Sequence, residues 1–364
     1  MKKVVISTWT GTLSLNYGSV LQTAALQEVV KEMGYSPVTI NNQYSRDGKR
    51  KCRWKFMRLR GKEYSKTKRK FDTFFRKEVN LSRRCVNNED AKKIAKEAEI
   101  LMCGSDAIWN FKWICPLFLW DFEELKNKPK IAYAPSIQRG DVDYDMANAL
   151  ESFVAVSGRE RRVGEIVSQY TDLPITTVLD PTLLVSWEYW EQQAGERLIE
   201  EDYVLCYFIS AAEVHRLSVE DVKKKYGNLK VVYINTNCID KEYGITDYRG
   251  EDYPGIVGPR EFLSLIKYAA VTCTDSFHGM ALSIAFGTEF YVFGREEIWE
   301  NGADYRFPDL FARLDINNRF IVKNEQINDL ESIDWERVQK NLSQERKKSR
   351  SFLEGAFEKA EKTL

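Results

Sequence analysis

A histidine in the second half of the chain stands in a sequence context that favours anion binding. The segment 274–279 reads TDSFHG, it follows the apolar run AAVTC, and its His278 is one of only two histidines. This pattern predicts a strand that turns into a helix. The N–H groups at a helix N-terminus favour an anion, and a histidine there can transfer a proton near neutral pH. Ser276, His278 and Gly279 are therefore candidates for binding a phosphorylated ligand, and the alternative is that His278 is structural.

An arginine follows another predicted strand. Arg159 comes directly after the run FVAVSG, and a guanidinium offers a fork of donors that matches a carboxylate or a phosphate. The alternative is that Arg159 pairs with Asp180 or Glu160. Arg295 and Arg306 lie downstream of the histidine, and we predict that they belong to the same anion-binding rim.

Polar residues in the first part of the chain are suited to binding a sugar. Gly18, just before a predicted helix, permits close approach of the backbone, and the short polar side chains around it could bind a sugar or cap the helix. Trp109, in the run CGSDAIWN, could cover a sugar face or lie in the core. The sugar-binding candidates are Asn16, Tyr17, Gly18, Gln22, Ser105 and Asp106.

The elements that would position these residues alternate between strands and helices. A first series of apolar runs reads KKVVIST, PVTINN, EILMCGSD, KIAYAPS, FVAVSGRE and ITTVLDPT. A second series reads YVLCYFIS, LKVVYIN, AAVTCTDS and EFYVFG, with helical stretches between the runs. This alternation predicts an α/β fold with parallel sheets, in which ligands bind at the carboxyl ends of the strands.

The length of 364 residues fits two domains. We predict a first Rossmann-like lobe at 1–182 and a second at 183–334. The charged amphipathic segment 335–364 is predicted to be a helix that packs back on the first lobe.

A basic insertion interrupts the first lobe at 49–84, where sixteen Lys or Arg residues stand against three acids. It could be a solvated helical hairpin whose aromatic residues pack on its own lobe, or a surface that contacts an anionic membrane, with RNA a weaker alternative. The large apolar residues interleaved with the charges are Trp54, Phe56, Met57, Phe71, Phe74 and Phe75.

Composition excludes several function classes. Lys plus Arg and Asp plus Glu number 54 each, so no net charge draws the chain to nucleic acid. The seven cysteines are scattered without the spacing of a zinc site, which is typical of a protein from a reducing cytosol. No run resembles a signal peptide or a membrane span, so we expect a cytoplasmic protein. Neither a dinucleotide fingerprint nor a P-loop nor a metal-ligand cluster occurs, so no cofactor and no metal are expected.

The order of the motifs is specific. NYGSVLQTAALQ, CGSDAIWN, YAPS, VSGRE, VLDPTLLVSWEYW and VTCTDSFHGMALSIAFGTEFYVF, taken in sequence, resemble the polysaccharide pyruvyl transferase family over nearly the whole chain. The resemblance implies a fold like that of the GT-B glycosyltransferases, with two Rossmann-like lobes facing a cleft. It also implies transfer of the enolpyruvyl unit of phosphoenolpyruvate to a hexose, giving a cyclic pyruvate ketal and phosphate, without metal or nucleotide.

The same resemblance assigns roles to residues. Family members place an arginine and a histidine at phosphoenolpyruvate. The matching positions here are Arg159 and His278, which the resemblance implies are catalytic residues on the donor side. It also implies that the first lobe holds the acceptor. Some members use a lysine after the histidine-bearing helix. This chain has none between His278 and Lys323, which leaves Arg295 and Arg306 as candidates for that role.

The implied acceptor is a sugar of a capsule or exopolysaccharide precursor, with β-galactose as the commonest kind. A lipid-linked oligosaccharide at the inner face of the cell membrane would agree with the basic insertion and with the missing export signal. Two alternatives remain open at the level of sequence. They are a GT-B glycosyltransferase that uses a nucleotide sugar and a non-catalytic sugar-binding protein of capsule assembly.

Overall fold

The computed structural model covers most of the chain. It describes residues 1–11, 14–43, 61–110, 114–137, 144–209, 216–234, 256–294, 304–317, 319–321, 327 and 330–364. Two groups of predictions lie outside the described residues: Arg295, and the first part of the basic insertion, 49–60, with Trp54, Phe56 and Met57.

The first lobe is built on a seven-stranded parallel sheet. Its order is β3-β2-β1-β4-β5-β6-β7, in which the chain starts in the middle, winds to one edge and then returns to the other. Val4 in the central strand pairs with Pro37 on one side and Ile100 on the other. The strands are β1 (Lys3–Ser7), β2 (Ser36–Asn42), β3 (Leu81–Cys85), β4 (Ile100–Cys103), β5 (Lys130–Ala132), β6 (Phe153–Gly158) and β7 (Ile175–Thr177).

The second lobe is built on a five-stranded parallel sheet in the order β12-β11-β10-β8-β9. Both sheets carry helices between consecutive strands, so the predicted α/β class with two Rossmann-like lobes is confirmed. The strands are β8 (Tyr203–Tyr207), β9 (Lys230–Tyr233), β10 (Val271–Thr274), β11 (Glu289–Phe293) and β12 (Phe320–Ile321).

Helices cover both sheets and join the lobes. The N-terminal helix packs against two helices of the second lobe, Pro259–Lys267 and Phe277–Phe286, and the latter also packs against the first-lobe helix Pro181–Leu184. In the described part of the chain the helices are α1 (Tyr17–Glu32), α2 (Gly61–Glu78), α3 (Asn88–Lys96), α4 (Pro116–Leu119), α5 (Met146–Leu150), α6 (Arg161–Val167), α7 (Pro181–Leu184), α8 (Trp187–Gln193), α9 (Arg216–Lys225), α10 (Pro259–Lys267), α11 (Phe277–Phe286), α12 (Arg306–Leu314) and α13 (Trp335–Thr363).

Two edge strands lack the apolar pattern that predicts the central strands. The strand β3 reads LSRRC, with both arginines exposed, and β12 has only two residues. An edge strand buries less of its surface than a central one, and charged side chains there protect the sheet against pairing with other chains. Neither segment therefore shows the continuous apolar run that identified the central strands.

The helix α2 of the basic insertion turns its aromatic residues inward. Phe71, Phe74 and Phe75 are buried in the main core, and the Phe71 ring lies 5.0 Å from that of Tyr17. The helix packs against α10 of the second lobe, where Lys70 Nζ lies 2.5 Å from Glu261 Oε1. These three aromatic side chains therefore form no apolar surface for a membrane, and the helix that carries them contacts the second lobe as well as the first.

Truncation of Phe71 to alanine is expected to destabilise the protein by about 3 to 5 kcal/mol, because it empties a core position that is 0% exposed. Urea denaturation followed by circular dichroism measures the change in midpoint. The neighbouring Arg69→Ala removes an exposed side chain of the same helix and should change stability by no more than about 0.5 kcal/mol. Equal effects of the two substitutions would contradict the inward orientation of this helix.

The C-terminal helix α13 follows the second lobe in sequence but packs against the first lobe. Ser349 Oγ accepts a hydrogen bond from Leu179 N at 2.9 Å, and the Phe357 ring stacks on Tyr35 at 4.0 Å between centroids. Buried apolar residues along the helix belong to the same core as the first sheet. Among the helices of the described residues, none is long and apolar enough to cross a membrane.

Candidate active site

The N-terminus of α11 places the histidine. Ser276 caps this helix and its side chain accepts a hydrogen bond from Gly279 N at 3.4 Å, while Thr274 Oγ1 accepts one from Ser276 N at 3.0 Å. A Cβ atom at Gly279 would lie 2.6 Å from Thr274 Oγ1, so glycine is needed for the helix to begin this close to β10. His278 therefore stands in the first helical turn, at the carboxyl end of the second sheet.

Arg159 occupies the corresponding place in the first lobe, directly after β6. It is 3% exposed, and its Nη1 donates a hydrogen bond to Asp180 Oδ2 at 2.9 Å. The guanidinium carbon lies 4.2 Å from the centroid of the Phe277 ring, in the range of a cation–π contact. Its Nε and Nη2 atoms are buried and have no hydrogen-bond partner among the described residues.

Asp180 connects the two lobes at this point. Its Oδ2 also accepts a hydrogen bond from Ser105 Oγ at 3.0 Å and lies 3.6 Å from His278 Nε2. Its Oδ1 accepts hydrogen bonds from the backbone N–H and the hydroxyl of Thr182 at 3.0 and 2.8 Å. Burial raises the pKa of Asp180, but His278, Arg159 and Thr182 outweigh it and hold the pKa well below its ordinary value. Sequence reasoning considered Asp180 only as an alternative partner of Arg159.

His278 itself is 7% exposed, and its Nε2 has no hydrogen-bond partner in the described part of the chain. The other edge of the imidazole lies against the start of α1. A Cβ atom at Gly18 would be only 2.2 Å from His278 Nδ1. Gly18 thus permits the close approach that the sequence predicted, and what approaches it here is the imidazole.

Arg306 lies on the same side of the second lobe, with its guanidinium carbon 5.8 Å from the Phe277 ring. Its Nε and Nη2 donate to the two carboxylate oxygens of Asp304 at 2.7 and 2.5 Å. Burial lowers the pKa of Arg306, but the charge and hydrogen bonds of Asp304, together with the charges of Glu160 and Asp106, outweigh burial and raise it. Arg306 is therefore near the site, but the paired Nε and Nη2 donors of its guanidinium are already bonded to Asp304.

Ser105 and Asp106, predicted to bind the acceptor, lie beside Arg159. Ser105 bonds Asp180 as described, and Asp106 Oδ1 is 3.8 Å from Arg159 Nη1. Asp106 also accepts a hydrogen bond from Ser19 Oγ at 3.0 Å. The amide oxygen of Asn16 caps α1 by accepting from Ser19 N at 3.0 Å, which was the alternative to sugar binding.

Three other first-lobe residues have structural roles. Tyr17 is buried, its ring stacks on Phe262 at 4.5 Å and its hydroxyl donates to a backbone carbonyl. Gln22 is 0% exposed and its amide donates to Thr8 and to backbone carbonyls. Trp109 is a core residue of the first lobe. Tyr17 and Gln22 are thus buried and bonded within the protein, and their contact with an acceptor stays a prediction.

Comparison with known proteins agrees with the order of motifs. A family model described as polysaccharide pyruvyl transferase matches residues 16–297. Among curated proteins, none matches the chain significantly. Among the described residues, no group of three or more His, Cys, Asp or Glu side chains could hold a metal ion.

Solved structures resemble this chain in fold. The structure of UDP-N-acetylglucosamine 2-epimerase from Rickettsia bellii aligns with a TM-score of 0.51 at 8% identity, over 95% of this chain and 88% of that one. UDP-GlcNAc 2-epimerase from Methanocaldococcus jannaschii aligns at 0.47 and 12% identity, over 94% and 91%. A Streptomyces glycosyltransferase aligns at 0.41 and 9% identity, over 95% and 96%. At 8% identity the likeness to the Rickettsia bellii structure concerns the fold alone, and it agrees with a two-lobed GT-B-like arrangement.

Proposed function

Because the chain belongs to the polysaccharide pyruvyl transferase family, we propose that it transfers the enolpyruvyl unit of phosphoenolpyruvate to a hexose and forms a cyclic pyruvate ketal with release of phosphate. The observation that carries the proposal is the pair of buried, unpartnered donors on Arg159, next to the unpartnered Nε2 of His278. The two residues come from different lobes and meet at Asp180.

The unpartnered donors favour an anionic ligand. A buried donor without a partner costs about 1 to 3 kcal/mol, and more when it is charged, so a ligand that accepts from both Nε and Nη2 recovers this free energy. A carboxylate or a phosphate has the matching fork of acceptors. Phosphoenolpyruvate carries both groups, and the N-terminus of α11 at Ser276 supplies a second anion-binding element.

The proposed chemistry balances with the residues present. A proton adds to the methylene carbon of phosphoenolpyruvate, which leaves an oxocarbenium centre at the neighbouring carbon. One sugar hydroxyl attacks that centre and loses its proton to a base, for which His278 is the candidate. A second hydroxyl of the same sugar then displaces phosphate, which departs with the second proton.

The acceptor is proposed from the family alone. We expect β-galactose in a lipid-linked capsule or exopolysaccharide precursor at the inner face of the cell membrane, with no metal and no nucleotide in the reaction. The exposed basic face of α2 would supply electrostatic contact with anionic lipid.

Phosphate release from phosphoenolpyruvate tests the function directly. The purified protein is offered a panel of β-galactosides and lipid-linked sugars, and the acceptor is analysed by mass spectrometry for an added ketal. A parallel reaction replaces phosphoenolpyruvate with nucleotide sugars. Consumption of a nucleotide sugar, with phosphoenolpyruvate neither consumed nor raising the melting temperature, would support a glycosyltransferase instead.

Substitution of Gly18 by alanine is expected to reduce kcat by about 10²-fold while the protein stays folded. The added methyl group would lie 2.2 Å from His278 Nδ1, so either the imidazole or α1 has to move. Steady-state kinetics with thermal melting as the folding check measures this effect.

Gly355→Ala is the matched control, since a Cβ atom there meets nothing within 4 Å in the C-terminal helix. It should leave kcat unchanged and stabilise the helix by up to about 1 kcal/mol. Full activity of Gly18→Ala would show that the position of the imidazole is not critical.

A further inference from the structure

A second carboxylate flanks Arg159 on the side away from Asp180. Glu160 is 1% exposed, and its Oε2 lies 3.8 Å from Arg159 Nε. Its Oε1 accepts hydrogen bonds from Ser136 Oγ and Ile137 N, each at 2.9 Å. Its Oε2 is buried and has no hydrogen-bond partner among the described residues. Asp180, in contrast, accepts hydrogen bonds within 3.0 Å from the Ser105 hydroxyl and from the backbone N–H and hydroxyl of Thr182, in addition to the one from Arg159. Both oxygens of Asp180 therefore have donors, whereas only one oxygen of Glu160 has them among the described residues.

The contrast between the two carboxylates has a physical consequence. An ionised oxygen that is buried without a donor is costly, and protonation of that oxygen removes the cost. Burial raises the pKa of Glu160, against the opposing effects of Arg159, the Ile137 N–H, Ser136 and Arg306. The pKa of Asp180 moves in the other direction. The environments of the two carboxyls thus drive their pKa values apart, and Glu160 is the one favoured to carry a proton.

A protonated, uncharged Glu160 would also suit the ligand. An ionised carboxylate at 3.8 Å from Nε would repel an anion bound to the Nε and Nη2 atoms of Arg159. A protonated Oε2 presents an O–H group to that ligand instead. His278 lies beside Asp180, with its Nε2 3.6 Å from Asp180 Oδ2.

We propose that Glu160 is the proton donor of the reaction, delivering the proton from Oε2 to the methylene carbon of phosphoenolpyruvate bound at Arg159. This inference rests on the proposed function. The methylene carbon gains the proton and becomes a methyl group, and the first sugar hydroxyl forms a bond to the neighbouring carbon and gives its proton to His278. The oxygen of the second hydroxyl then bonds to the same carbon as the bond from that carbon to the phosphate oxygen breaks, and phosphate carries off that hydroxyl's proton. The proton on His278 returns to Glu160 through solvent between turnovers.

Glu160→Gln tests this assignment, because the amide keeps the acceptor for Ser136 and Ile137 but cannot donate a proton to carbon. We expect kcat to fall by about 10² to 10⁴-fold, with KM for phosphoenolpyruvate within a few fold of wild type. The decline of kcat/KM at high pH, which reports loss of the proton from Glu160, should disappear from the residual activity. Glu165→Gln, an exposed substitution on α6, is the matched control and should behave as wild type.

The outcomes separate this inference from the proposed function. If wild type releases phosphate and Glu160→Gln retains its kcat and its pH profile, Glu160 is not the proton donor although the function stands. A raised KM with normal kcat would equally overturn the role, since it indicates that Glu160 only positions Arg159. If wild type neither binds nor consumes phosphoenolpyruvate, the function itself fails. Thermal melting checks that each variant folds. If the glutamine variant does not fold, Glu160→Asp is the substitute, and it is expected to keep the decline of kcat/KM at high pH with a reduced kcat. Absence of that decline in the aspartate variant would contradict the assignment.

Discussion

Replacement of His278 by alanine is expected to lower kcat for phosphate release by about two to four orders of magnitude, the usual contribution of a general acid or base. The imidazole is the candidate base because its Nε2 is unpartnered among the described residues and lies 3.6 Å from Asp180 Oδ2. The ionised Asp180 would stabilise the imidazolium that forms when His278 takes the hydroxyl proton. The rate of phosphate release at saturating phosphoenolpyruvate, measured as a function of pH for both proteins, tests this expectation.

Ser283→Ala is the matched control for this substitution. Ser283 is a buried residue of the same helix, and its hydroxyl donates to the backbone carbonyl of Gly279 at 2.9 Å. It should leave kcat near that of wild type. Near-normal turnover of the His278 variant would exclude the histidine from proton transfer and leave it a structural role at the lobe interface.

Replacement of Arg159 by lysine is expected to lower kcat/KM for phosphoenolpyruvate by about 10² to 10⁴-fold. A lysine keeps the positive charge opposite Asp180 but loses the two free donors, and each charge-assisted hydrogen bond contributes about 1.5 to 3 kcal/mol. Lysine rather than alanine is the informative choice, because removing one partner of a buried ion pair costs about 3 to 5 kcal/mol and confuses activity with folding.

The Arg159 experiment combines kinetics with thermal-shift binding of phosphoenolpyruvate. The control is Arg161→Lys, whose wild-type side chain is 64% exposed and pairs with Asp309 at 2.6 Å. We expect the control to bind the donor normally and the Arg159 variant to show no shift at the same concentration. Equal shifts would mean that the donor anion is bound elsewhere.

Central strands and helix starts were predictable because their signals are local. A buried parallel strand needs a continuous apolar run, and a helix start needs a cap such as Ser276, so a few adjacent residues carry the information. The edge strand β3 was missed since its arginines face solvent. Of the predicted site, His278 and Arg159 come together, with Ser105 and Asp106 beside them, while Tyr17 and Gln22 proved to be core residues.

The amino-acid sequence alone predicts the two-lobed α/β fold, the order of motifs typical of the family, and the strand ends at which Arg159 and His278 stand. The folded structure adds that Asp180 lies between these two residues and that the aromatic residues of α2 point inward. It also shows that Oε2 of Glu160 has no hydrogen-bond donor within the described part of the chain. The difference is in how far apart along the chain the interacting residues lie. Secondary structure follows from neighbours along the chain, whereas the partners of a buried charge depend on how two lobes dock, and no local pattern encodes that contact.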